Sequence, residues 1–149
     1  MQAVIFIGIQ ASGKSTFYAQ QFFKTHVRLS LDMLRTRYRE QLLLNACLAA
    51  KQPFVIDNTN PTIEERTKYI VPAHEQHFEV VGYYFQSTIK AALERNAKRT
   101  GRELIPEKGI FGTYKRLQLP SYDEGFDQLF YVSTEENYSF VIKEWQREL

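Results

Sequence analysis

The sequence is short of cysteine, of chain-breaking residues and of excess charge. One cysteine, Cys47, in 149 residues excludes an intrachain disulfide and a zinc site built from several thiolates. Its neighbours Leu44, Ala46, Leu48 and Ala49 read as a buried, inert setting for the thiol. No apolar run reaches the ~18 residues of a membrane span, so no membrane contact is expected. The opening Met-Gln-Ala and Val4-Ile5-Phe6-Ile7 lack the basic stretch and long apolar core of a signal peptide. A reducing, cytoplasmic setting is the expectation. With only 7 glycines and 5 prolines there is no linker, repeat or low-complexity run, so a single domain is expected over 1–149. The net charge of +2 is too small to argue for a polyanionic partner. Its distribution is uneven. Residues 90–116 carry 8 basic and 3 acidic side chains, and residues 117–149 carry 2 basic and 7 acidic. A small total can hide one basic face, or be spread as a mixed surface.

What is present alternates strand and helix. Residues 3–7 form an apolar, β-branched run closed by Gly8, the pattern of a buried strand. Residues 14–23 read as a helix and 27–29 as a short second strand. A long helix is expected from Asp32, with Leu34, Tyr38, Leu42 and Ala46 recurring at helical spacing. Residues 54–56 are a third strand, ended by the turn-forming Asp57-Asn58-Thr59-Asn60-Pro61. Thr62 and Glu65 have capping-box spacing for a helix running to about residue 75. A fourth strand is expected at 80–85, followed by a helix capped by Ser87 or Thr88. Residues 129–132 are a candidate fifth strand and 140–145 a terminal helix. The alternation predicts an α/β fold of three layers, with a mostly parallel sheet of four to five strands and helices on both faces. Ligands in such folds sit at the carboxyl ends of the strands.

Gly8-Ile9-Gln10-Ala11-Ser12-Gly13-Lys14-Ser15 fits the phosphate-loop pattern G-x-x-x-x-G-K-[ST], in the required place between a strand and a helix. Backbone N–H groups of such a loop, together with the positive end of the next helix, cradle phosphate oxygens. The glycines allow the tight backbone, Lys14 reaches the β- and γ-phosphates, and the Ser15 hydroxyl ligates Mg²⁺. Thr16 is placed to add a hydroxyl to the α-phosphate. ATP and Mg²⁺ are the expected cofactors. A GTPase is not expected, because no Asn-Lys-x-Asp occurs and the third strand ends in Asp57-Asn58-Thr59-Asn60. A small kinase fits this chain length better than a motor or oligomeric ATPase.

Two further segments follow strands. Asp32 and Arg35 have the spacing of one helical turn. Together they can take a hydroxyl proton and grip an anionic group of the same acceptor. The alternative is that Asp32 merely caps the helix and Arg35 lies in solvent. Between residues 95 and 106 a lid-like basic segment is expected, with Arg95 and Arg99 on one face and Lys98 and Arg102 beside them. Arginines there can stabilise the transferred charge and exclude water. The helix dipole alone would also favour cations at that helix end.

With these segments, the chain resembles the kinase domain of polynucleotide 5′-hydroxyl kinases. The phosphate loop through Thr16, Asp32-x-x-Arg35, Val55-Ile56-Asp57-Asn58-Thr59-Asn60-Pro61 and Arg95-Asn96-x-Lys98-Arg99 carry the resemblance. Ile105-Pro106, Tyr114, Pro120 and Glu124-Gly125-Phe126 extend it. The resemblance implies ATP- and Mg²⁺-dependent phosphorylation of the 5′-hydroxyl of a DNA or RNA end. It implies Gly8, Gln10, Ala11, Ser12, Gly13, Lys14, Ser15 and Thr16 as the nucleotide loop, with Asp32 as general base. Arg35 then holds the phosphate beside the reacting nucleoside, and Arg99 acts on the donor phosphates. Arg95 lies near the adenine. Asp57 is a further carboxylate of the acceptor side, or acts through water on the metal, or as a scaffold. Many relatives carry a fused phosphatase or ligase domain. This length has no room for one and no Asp-x-Asp-x-Thr occurs, so separate partner proteins are expected to supply those steps. Small P-loop kinases of nucleosides, sugars or antibiotics share most of these features, and a nucleotide-binding regulatory module is the third reading. His74 and His77 are expected at the surface without a third metal ligand, and Glu124 as solvated surface. Tyr69, Tyr83, Tyr84 and Tyr114 are expected to be core or half-buried rather than to stack on bases.

Overall fold

The computed structural model describes residues 1–86 and 88–146. The strands are β1 (Gln2–Ile7), β2 (Val27–Leu29), β3 (Phe54–Ile56), β4 (Glu79–Gln86), β5 (Gln128–Thr134) and β6 (Phe140–Glu144). They form one sheet in the order β2-β3-β1-β4-β5-β6, parallel except for β6, which runs antiparallel to β5. The helices are α1 (Lys14–Gln21), α2 (Leu31–Leu34), α3 (Arg37–Ala50), α4 (Ile63–Glu75), α5 (Ile89–Ala97) and α6 (Glu107–Arg116). Strand alternation divides β1 between two cores. Ala3, Ile5 and Ile7 face Leu44, Cys47 and Leu48 of α3 and Tyr69, Ile70 and Ala73 of α4. Val4 and Phe6 face Phe17 of α1 and Phe22 just beyond it. The second core is largely aromatic. Phe6 meets Phe85 edge-on at 5.0 Å between ring centroids and Phe17 at 5.7 Å, a favoured geometry for ring pairs. The three-layer α/β expectation is met. Among the described residues no helix is long and apolar enough to cross a membrane.

Several expectations need correction. The sheet has six strands, because residues 140–144 pair with β5 instead of forming a terminal helix. Phe140 packs edge-on against Phe17 at 5.1 Å, while Trp145 stacks on Tyr131 at 4.2 Å. Those anchors at the two ends of a β-branched Val141-Ile142 pair outweigh a short helical reading.

The long helix from Asp32 is two helices, because Arg35 takes φ 76° and ends α2 before Thr36 caps α3. The apolar stripe read on α3 is also its solvent face. Tyr38 and Leu42 are exposed, whereas Glu40, Leu44, Cys47 and Leu48 are buried. A buried carboxylate at Glu40 shifts the phase that hydrophobicity alone would choose.

Cys47 is buried as expected, and burial raises its thiol pKa. Thr88 caps α5 by accepting from the Ala91 N–H, while Ser87 lies outside the described residues. Glu124, expected in solvent, has its carboxylate buried against the fully buried Arg66 through two bonds of 2.7 and 3.1 Å. Arg66 also donates to the Asn60 carbonyl, so this ion pair braces the loop after β3.

Candidate functional site

The phosphate loop leaves the end of β1 against crowded surroundings. A Cβ on Gly8 would stand 3.0 Å from the Phe85 Cβ and 3.1 Å from its carbonyl oxygen. Gly13 has φ +96°, and a Cβ there would meet Thr134 and Phe140 at 3.0 Å. Both sites therefore need glycine. Four contacts hold the loop in place. Gly8 N–H donates to the Thr59 carbonyl (3.0 Å), and the Thr134 hydroxyl of β5 donates to the Ser12 carbonyl (2.8 Å). The Gln10 amide donates to Thr113 of α6 (2.9 Å), and Arg95 of α5 donates to the Ala11 carbonyl (3.2 Å). Ala11, with φ 60°, and Ser12 are buried.

The start of α1 differs from those of α3, α4 and α5. Threonine side chains cap α3, α4 and α5 at Thr36, Thr62 and Thr88. Gly13 precedes α1 with no side-chain cap, and its first turn carries no acid. The unsatisfied N–H groups and the positive helix end thus face outward, where an anion can complete them. Thr16 lies in that turn, half-buried. Lys14 folds back over the loop, and its ammonium donates to Gly8 O (2.9 Å), Ile9 O (2.7 Å) and the Ser12 hydroxyl (3.3 Å). Loss of water lowers its pKa to about 8. The Asp57 and Asp32 charges oppose that shift and the Arg99 charge adds to it. Lys14, Asp57, Arg99 and Asp32 therefore share one electrostatic neighbourhood.

Ser15 begins a tight polar triangle. Its hydroxyl donates to Asp57 (3.1 Å), Arg28 Nε donates to the same Asp57 oxygen (2.8 Å), and the Arg28 guanidinium also donates to the Ser15 hydroxyl (3.0 Å). Strand pleating explains the meeting. Arg28 lies beside Val55 in the β2–β3 register, and Asp57 follows Val55 by two, so all three face α1. A hydroxyl and a buried carboxylate are hard oxygen donors that suit Mg²⁺, which is commonly held by one or two carboxylates plus phosphate oxygens. The arginine already stands at that pair as a cation.

Asp32 occupies the second position of α2, and Ser30, not Asp32, precedes the helix. The capping alternative for Asp32 is thereby removed. Arg35 does not continue the same helical turn, since its φ 76° and ψ −33° turn the chain out after Leu34. A non-glycine residue in that conformation is held there by its surroundings. Both side chains are exposed, and among the described residues neither makes a hydrogen bond or ion pair. Asn58 ties down the front of α2 by accepting from the Leu31 N–H (2.9 Å) and donating to Glu40 (2.9 Å). Glu40 in turn accepts from the Tyr69 hydroxyl (2.8 Å) and from Arg37 (3.1 Å). Asn60 closes the segment by donating to the Phe6 carbonyl at 2.7 Å. Successive residues of Asp57-Asn58-Thr59-Asn60 thus brace α1, α2, the phosphate loop and β1.

On the far side, Asn96 is buried and clamps both backbone groups of Ile105, accepting at 2.9 Å and donating at 2.6 Å. Ile9, Ala11, Ala92 and Ile110 pack beneath this clamp. The stem of the basic segment is thereby fixed to the phosphate loop, with residues 98–104 arching outside it. Arg99 is half-buried and bonds the Glu103 carbonyl (3.3 Å), whereas Lys98 and Arg102 are exposed. Tyr114, expected to be covered, is exposed, as are His74 and His77. No cluster of three metal-ligating side chains occurs among the described residues. Sequence reasoning missed Arg28, Asn58, Glu40 and Asn96 as site residues. Only Asn58 and Asn96 carried a signal, as members of the two segments that marked the resemblance.

A family profile described as an AAA domain matches residues 39–118, more than half of the chain. The bifunctional polynucleotide phosphatase/kinase of Schizosaccharomyces pombe is 31% identical over 129 residues, covering 84% of this chain and 32% of that protein. The chain thus spans about a third of that relative's length. Kti12 of Chaetomium thermophilum, solved with ADP-AlF3, superposes with a TM-score of 0.68 at 16% identity, covering 90% of this chain and 91% of that one. A gluconokinase of Sinorhizobium meliloti 1021 superposes at 0.61 with 17% identity, covering 89% and 82%. At such identities these two structures speak to the fold, which is that of P-loop kinases. With the profile covering 39–118 and a full phosphate loop ahead of it, the chain belongs to the AAA domain family of P-loop proteins.

Proposed function

We propose that this chain transfers the γ-phosphoryl group of ATP to the 5′-hydroxyl end of a nucleic acid. The observation that carries the reading is Asp32. It is an exposed carboxylate on a one-turn helix braced by Asn58, close enough to influence the Lys14 charge, with Arg35 turned out beside it. A hydroxyl held by Asp32 gives up its proton to the carboxylate as its oxygen bonds to the γ-phosphorus, and ADP leaves. Arg35 grips the phosphate on the 3′ side of the reacting nucleoside, while Lys14 and Arg99 meet the charge on the donor phosphates. Arg95, bonded to the loop, borders the nucleotide. Ser15 and Asp57 are the residues that would hold Mg²⁺, which when bound neutralises β- and γ-phosphate oxygens. The likeness to the fission-yeast phosphatase/kinase supports a polynucleotide acceptor over a small one.

The test is label transfer from γ-labelled ATP to a 5′-hydroxyl oligonucleotide, with a 5′-phosphorylated oligonucleotide and plain nucleosides as further acceptors. Label on the 5′-hydroxyl strand is expected, far above that on plain nucleosides, with none on the 5′-phosphorylated strand. Label on nucleosides or other small alcohols but not on the strand would assign the site to a small-molecule kinase. Nucleotide binding without transfer to any acceptor would leave a binding module.

A further inference from the structure

The proposed role of Ser15 and Asp57 leaves Arg28 unexplained. Its guanidinium spans the pair, with Nε on Asp57 at 2.8 Å and an Nη on Ser15 at 3.0 Å. The Asp57 side chain is 2% exposed and that of Arg28 25%. An ionised carboxylate so buried needs a compensating cation. Arg28 is the only ion-pair partner of Asp57 among the described residues. Its strand is lightly held, since β2 has three residues and lies at the sheet edge, and the guanidinium carbon stands over the Tyr18 ring, 6.0 Å from its centre. The guanidinium already lies over that ring, so a long side chain on an edge strand can leave the two oxygens and keep the ring contact while its backbone stays paired.

We infer that Arg28 is an internal substitute for the divalent cation, holding Ser15 and Asp57 in place until metal arrives with nucleotide. Guanidinium and Mg²⁺ then compete for the same oxygens. Metal alone lacks the phosphate ligands needed to displace a paired arginine, so binding of metal is tied to binding of nucleotide. The metal-free site also stays ordered, because the buried carboxylate is never without a counter-charge. The exchange rests on the proposed holding of Mg²⁺ by Ser15 and Asp57, and stands apart from the identity of the acceptor.

The test is thermal melting of the wild type and of Arg28→Met, without nucleotide, with and without 10 mM Mg²⁺ or Mn²⁺, beside the affinity of each for Mg²⁺–ADP. The variant is expected to melt on the order of 10 °C lower without metal, since Asp57 loses its partner. Metal alone is expected to recover several degrees in the variant, against about 1 °C or less in the wild type. Mg²⁺–ADP is expected to bind the variant at least as tightly as the wild type. Equal responses of the two proteins to metal, or a variant that binds Mg²⁺–ADP more than tenfold more weakly, would overturn the inference. The second outcome would make Arg28 a phosphate ligand. Should Arg28→Met fail to fold, the wild type decides by NMR. The Arg28 Nε–H is expected to be protected from exchange in the metal-free protein and to lose that protection with Mg²⁺–ADP. Protection unchanged in the complex would contradict the exchange. None of these readings uses an acceptor, so failure of oligonucleotide phosphorylation leaves this test intact.

Discussion

Burial brings the Lys14 ammonium down to about 8, with three loop acceptors in place of water. The sign of the consequence follows from linkage. A cation with a lowered folded-state pKa weakens the fold while charged, and that penalty fades as pH rises from about 8 toward the ordinary lysine value of 10.5. Phosphate favours the charged form, so nucleotide binding above pH 8 takes up a proton. ADP affinity is expected to hold steady between about pH 7 and 7.5 and to fall toward tenfold per pH unit above about 8. Lys14→Ala is expected to bind weakly and to lack this fall; calorimetric titration across pH 7–10 checks both. At Arg35 the expectation concerns the acceptor. Its exposed guanidinium, turned out by φ 76°, has no partner among the described residues. A charge-assisted bond is worth about 1.5–3 kcal/mol, roughly ten- to a hundredfold. A nucleoside 3′-phosphate is therefore expected to be a better acceptor than the nucleoside by that factor, with the advantage lost in Arg35→Ala. Equal kcat/KM for the two acceptors with the wild type would remove Arg35 from this role.

At the scale of elements, α2 is too short to hold its place through its own hydrogen bonds. Asn58 and Glu40 supply what it lacks, and they link it to Tyr69 on α4. Asn58→Ala removes the acceptor for the Leu31 N–H and leaves one Glu40 oxygen short of a donor. A loss of about 1–3 kcal/mol in urea unfolding is expected. Transfer is expected to fall through kcat while ADP affinity stays unchanged, because α2 carries Asp32 and not the nucleotide loop. A parallel loss of ADP affinity would show that Asn58 serves the loop instead.

The network also explains where sequence patterning succeeded and failed. Residues 54–56 were legible because all three are apolar and buried on both faces, and the following Asp-Asn-Thr-Asn-Pro is turn-forming. The face of α3 was not, since its inward stripe includes Glu40 while Tyr38 and Leu42 point to solvent. Residues 140–144 misled for a different reason: Phe140 packs on Phe17, which is remote in the chain, and the pattern of 140–144 alone does not show the pairing with β5.

Across the whole molecule, the phosphate loop could be read directly because its chemistry is local, eight residues between one strand and one helix. Arg28 could not, because its place depends on β2–β3 register bringing it against Asp57, 29 residues away. Arg66 and Glu124 were hidden in the same way, 58 residues apart in sequence and paired in the interior. The sheet gathers these distant pieces at the carboxyl ends of β1, β2 and β3, where the phosphate loop, Asp32 and Asp57 follow in turn. The central claim is that Asp32 takes the proton of the attacking hydroxyl there. Asp32→Asn keeps the size of an exposed side chain, so folding stability is expected to change by less than about 0.5 kcal/mol. The deciding measurement is single-turnover phosphorylation of a 5′-hydroxyl oligonucleotide at saturating ATP by the wild type and Asp32→Asn. Transfer about 10²–10⁴-fold slower, with unchanged nucleotide affinity, is the expected result. A loss of less than about tenfold, where chemistry limits the rate, would contradict the account and leave Asp32 outside the reaction.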